Sequence, residues 1–88
     1  MTFDGAVIRE QGVTFGVIVV RPHVLDGISQ RDRIVAQASH LFGGIPTVLM
    51  AQQGGQARYY GRPDLVRFMA SIPLAAVPWK QYHLSTVA

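Results

Sequence analysis

The residues in this chain whose types suit chemistry fall into two short stretches and a few isolated positions. In the first, His23, Asp26 and Ser29 lie together in His23-Val24-Leu25-Asp26-Gly27-Ile28-Ser29. Ser, His and Asp are the parts of a nucleophile, its general base and the group that orients the base. The same residues have structural uses. Ser29 suits a helix N-cap with Asp32 at the third helical position, and Asp26-Gly27 suits a turn. No Gly-x-Ser-x-Gly elbow is present. The stretch is therefore read as a loop in which Arg21, His23 and Asp26 are ligand-binding candidates, with no catalytic residue assigned.

The second stretch is Arg58-Tyr59-Tyr60-Gly61-Arg62, with Arg67 beyond it. Tyrosines flanked by arginines can stack bases and hold phosphates. Alternatively, one tyrosine packs in the core and the other covers a sheet edge. His23, His40 and His83 never share metal-ligand spacing on one element, so no metal is assigned. Gly43-Gly44 and Gly54-Gly55 belong to neither a Gly-x-Gly-x-x-Gly nor a Gly-Lys-Ser/Thr loop, and no cofactor is expected. The carboxylates form no local pair for acid–base work. The chain has no cysteine, which excludes disulfides, thiolate metal sites and thiol redox chemistry from its 88 residues.

These residues must be held by one small domain, residues 1–88. Hydrophobic residues make up 49% and charged residues 15% of the chain, against about 25% charged in typical domains. Such a surplus suggests that a partner covers some apolar surface, most simply a second copy. The formal net charge is +3, but the basic residues are scattered and make no run. No basic leader is visible before Arg9-Glu10, and Val13 to Val20 is far shorter than the roughly 20 apolar residues of a membrane helix. A cytoplasmic location without membrane association is expected.

The elements follow from periodicity. Ala6-Val7-Ile8 starts a strand, Gln11-Gly12 turns it, and Val13 to Val20 is apolar on both faces, as a central strand is. Pro22 ends that strand. A helix from Ser29 puts Ile34, Val35, Ala38, Leu41 and Phe42 on one face and stops at Gly43-Gly44. Ile45 to Ala51 is a second doubly apolar strand. Gln53-Gly54-Gly55-Gln56 turns it into a polar-alternating edge strand, Ala57 to Tyr60. Pro63 and Asp64 open a second helix with Leu65, Val66, Met69 and Ile72 buried. The expectation is an α/β domain of order β-β-α-β-β-α, with a mixed four-stranded sheet and two helices. The crossover from Val20 to Ile45 should be parallel and right-handed. The tail, residues 74–88, is apolar enough to dock.

Gly44-Ile45-Pro46-Thr47, followed by an apolar strand, a glycine turn, a short strand, Gly61 and a helix, resembles the C-terminal half of a thioredoxin. The resemblance covers Gly44 to Ile72. It implies that Pro46 is preceded by a cis bond and that the Ile45 peptide pairs with a bound partner, so Ile45 and Pro46 join the binding candidates. The redox cysteines have no counterpart here, so the redox activity is not implied. Three readings remain. The first is a non-enzymatic interaction domain, homodimeric through an edge strand and the tail, with Trp79, Tyr82 and Leu84 at the interface. The second is a small nucleic-acid-binding module using the Arg58–Arg67 cluster. The third is a small-ligand or enzyme site in the 21–29 loop beside Pro46.

Overall fold

The computed structural model describes residues 2–10 and 12–83. The chain runs β1 (Thr2–Glu10), β2 (Val13–Val19), α1 (Pro22–Asp26), α2 (Ile28–Leu41), β3 (Thr47–Gln53), β4 (Gln56–Tyr60), α3 (Pro63–Ser71), a 3₁₀ turn (Leu74–Ala76) and β5 (Lys80–His83). One mixed sheet has the order β4-β3-β2-β1-β5. The α/β class is as expected, but the sheet has five strands rather than four.

The strand with apolar residues on both faces is the middle one. Phe15, Val17 and Ile18 of β2 are buried on alternating sides. Val17 and Phe15 join Ala6, Val48, Met50, Leu65 and Met69 in the core under α3. Ile18 joins Leu49, Ala51, Val24, Leu25 and Ala38 in the core under α1 and α2. Each fully buried side chain of this kind contributes about 1.5–3 kcal/mol. Strand β2 pairs parallel with β3, Val17 opposite Val48, and the crossover helices close one face. Both positions of the Gly54-Gly55 turn have positive φ, 60° and 79°, which joins β3 and β4 as a tight hairpin.

Where the structure departs from the sequence reading, pairing or local geometry gives the reason. Strand β1 begins at Thr2, not Ala6, because Thr2–Gly5 pair with β5. The docked tail is thus a fifth strand. Leu84 lies outside the described residues, as does Gln11 of the expected first turn. The 21–29 loop is mostly helical. Pro22 starts α1, which suits a residue with fixed φ and no N–H to lose. Helix α2 begins at Ile28 with Gly27 as N-cap and no side-chain cap bond, so Ser29 lies inside the helix and caps nothing.

The Ile45–Pro46 bond is trans, contrary to the expected cis bond. The carbonyl groups there are already engaged. Ile45 O accepts from Ser39 Oγ at 2.8 Å and from Thr47 Oγ1 at 3.2 Å. Pro46 O accepts from Gly16 N at 2.8 Å. The segment ties α2 to β2 and β3, where the resemblance implied a free pairing surface.

Candidate functional site

Two layers of helices leave the sheet unevenly covered. Helix α2 follows the crossover and lies over β2 and β3. The α2 side of β1 is left to aromatic side chains. Phe3 stacks on Tyr82 at 5.7 Å, and Phe42 meets Tyr82 edge-on at 5.1 Å. These rings sit over Gly5 and Gly16. A Cβ on Gly16 would lie 2.4 Å from the Phe42 ring, so only glycine fits beneath it. Tyr82, one of the expected interface residues, belongs to this intramolecular cluster.

Beside the cluster a cleft of about 310 Å³ opens between α2, the start of β1 and the end of β2. Phe3, Ile18, Val20, Ile34 and Leu41 supply apolar walls, and Thr2, Arg21 and Gln37 supply polar groups. Its position follows from topology. The chain leaves β2 toward β3, while β1 lies on the other side of β2, so the space past the carboxyl end of β2 is open on one flank. Arg21 is fixed locally: the following Pro22 holds it extended, at φ −71° and ψ 147°. The Arg21 carbonyl accepts from Val24 N at 3.0 Å. Its exposed guanidinium makes no ion pair among the described residues. Among the described residues no carboxylate lines the cleft.

The other candidate residues are dispersed or engaged with one another. Tyr59 and Tyr60 point to opposite faces of β4. Tyr59 packs against the α3-side core, where burial pushes its hydroxyl pKa upward. Tyr60 faces α2, donates to Asp32 at 2.8 Å and lies 4.2 Å beneath the Arg31 guanidinium. Arg31 Nη1 reaches Leu25 O at 3.3 Å, while its Nε is buried without a partner. Arg58 bonds Asp26 at 3.2 Å and Gln53 at 3.1 Å. Arg62 forms a two-pronged pair with Asp64, at 2.8 and 2.7 Å. That hydrogen bond holds the Asp64 carboxyl down at about 2. Arg67 stands on α3, on the other side of the sheet from Arg58. The Arg58–Arg67 stretch is therefore split between faces, and two of its arginines have carboxylate partners.

His23 is exposed on α1, and Asp26 turns to Arg58 rather than to a histidine. Among the described residues no three of His, Asp and Glu gather to hold a metal ion. Trp79 packs on the α3-side core and donates from Nε1 to Leu74 O at 3.0 Å, inside its own subunit. No helix among the described residues is long and apolar enough to cross a membrane.

Of the cleft residues, Arg21 was visible in the sequence as the charge that follows the central strand. Phe3, Gln37 and Leu41 gave no binding signal, since Leu41 reads as core and Phe3 as terminus. The chain matches no family model, no curated protein and no solved structure.

Proposed function

We propose that this chain is a non-catalytic binding domain whose ligand occupies the cleft between β1, β2 and α2. One observation carries the reading: a mostly apolar cleft of about 310 Å³ whose lining includes Arg21, a residue with no ion pair among the described residues. That volume is at the low end of small-molecule sites, which are mostly apolar with a few orienting polar groups. The His, Asp and Ser residues of the 21–29 segment do not enter its lining, so no covalent step is assigned to it. The test is a backbone amide NMR titration with small neutral probes such as cyclohexanol and indole. Shifts confined to Ile18, Val20, Ile34 and Leu41, lost in an Ile34→Trp variant that fills the space, support the reading. Shifts on the α3 side, or none at millimolar probe, reject it.

A second reading, an interaction domain that pairs with its own copy, is favoured by the outer edge of β5. Among the described residues this strand has a neighbour only on its β1 side, and its Lys80, Gln81 and His83 are exposed. Antiparallel pairing of two β5 strands would join the sheets of two subunits. The packing argument behind it is weaker than composition suggested, because only Val7 and Ile28 are large exposed hydrophobic residues among those described. Sedimentation across the micromolar range tests it: a dimer that dissociates in a Lys80→Glu/His83→Glu variant supports pairing, and a monomer throughout removes it.

A further inference from the structure

We propose that the cleft takes a free, unbranched aliphatic carboxylate about as long as octanoate, an inference that rests on the cleft being the binding site. The carboxylate would meet Arg21 at the rim, and the chain would lie between Phe3, Ile18, Ile34 and Leu41.

The sign of the ligand comes from the lining. Among the described residues Arg21 is the only charged one there, and it has no carboxylate partner. Gln37 adds an amide that can donate. One planar guanidinium and one amide match one carboxylate, which accepts two parallel N–H bonds. They do not match a phosphate ester or nucleotide, whose greater charge calls for several cations.

The shape of the ligand comes from the walls. Apart from Arg21, Gln37 and the Thr2 hydroxyl the walls are apolar side chains, so most hydroxyls of a sugar or polyol would be buried without partners. The volume of 310 Å³ holds about ten water-sized groups at about 30 Å³ each. The rim is also the exposed end, since the Arg21 side chain faces solvent while Ile18 is 4% exposed. An amphipathic anion can therefore enter tail-first and keep its head hydrated. The Phe3 wall is braced from behind by Tyr82 of β5, so the fifth strand holds the cleft open without touching the ligand.

Because an exposed Arg–carboxylate pair is weak, the chain must supply most of the affinity and the head group the selectivity. Each buried methylene is then worth about a fourfold gain in affinity. The experiment titrates the native protein with butyrate, hexanoate, octanoate, octanol and octylamine below their micellar concentrations, followed by amide shifts and calorimetry. Affinity is expected to rise about fourfold per methylene through octanoate. Octanol should bind about threefold more weakly than octanoate and octylamine more weakly still, and Arg21→Gln should reduce octanoate to the level of octanol while leaving octanol unchanged. Equal binding of octanoate, octanol and octylamine, or an Arg21→Gln variant that holds octanoate as before, overturns the carboxylate while the cleft stands. If none of these ligands moves the amides of Ile34, Ala38 and Leu41, but neutral probes do, the ligand class fails. If neither set moves them, the cleft fails as a site.

Discussion

Replacing Gly16 by alanine tests the packing that creates the cleft wall. The new Cβ would meet Phe42 at 2.4 Å from Cδ2, 2.6 Å from Cε2 and 3.2 Å from Cγ. Contact with Cγ means that rotating the ring alone gives no relief, so the whole ring must move. Phe42 cannot move alone, because Tyr82 packs on it and stacks on Phe3. Overpacking of this kind costs about 1–3 kcal/mol, offset by about 0.5–1 kcal/mol from replacing glycine in a strand. A net loss of about 1.5 kcal/mol lowers the urea midpoint by about 1 M if the slope is about 1.5 kcal/mol/M. Urea unfolding of four proteins reads the effect: native, Gly16→Ala, Phe42→Ala and the double variant. Phe42→Ala alone should cost about 2 kcal/mol, less than the 3–5 of a fully buried ring. With the ring removed, Gly16→Ala should become stabilising by about 0.5–1 kcal/mol, giving a coupling of about 2–2.5 kcal/mol. Additive losses, or a Gly16→Ala protein as stable as the native one, would refute the close approach.

Trp79→Phe should cost about 1 kcal/mol through the lost bond to Leu74 O. Trp79→Ala should cost about 3 kcal/mol at every protein concentration; a loss that shrinks at high concentration would instead place Trp79 in an interface. The Asp64 carboxyl is held at about 2 against an ordinary 3.8, by the Arg62 hydrogen bond first. Its folded value is depressed, so its contribution is present above 3.8 and is lost as pH falls through about 2. Carbon-detected NMR should find that midpoint, and Asp64→Asn should flatten the stability profile across that window. Arg58→Ala removes an exposed pair and should change stability by less than about 1 kcal/mol. Oligonucleotides at physiological salt should bind no more tightly than the non-specific range of about 10⁻⁴–10⁻⁶ M, and nanomolar binding there would contradict the pairing of Arg58 and Arg62 as their main role.

Much of the fold is legible in residue pattern. The doubly apolar Val13–Val19 run is the middle strand. Ile34, Val35, Ala38 and Phe42 mark the buried face of α2, and Pro63 opens α3. What was illegible depends on contacts distant in sequence. Thr2 and Phe3 have no strand signal of their own; they are extended because Lys80–His83 pair with them. Pro22 has two meanings, strand terminator and first residue of a helix, and nothing local chooses between them. The Gly44-Ile45-Pro46-Thr47 motif says nothing of Ser39, whose hydroxyl occupies the Ile45 carbonyl. The candidate site is harder still to see. Arg58, Tyr60, Asp26 and Asp32 look like functional groups singly, and packing turns them into one another's partners. The cleft exists only because α2 follows the crossover away from β1, a property of topology that no short motif records.

The central claim, that the cleft is a ligand site, is tested most directly by intermolecular NOEs between isotope-labelled protein and unlabelled octanoate. The account predicts NOEs from the terminal methyl to side chains of Ile18, Ile34 and Leu41, with the carboxyl end near the Arg21 side chain. NOEs to the α3-side core around Leu65 and Trp79, or none at saturating ligand, would contradict it.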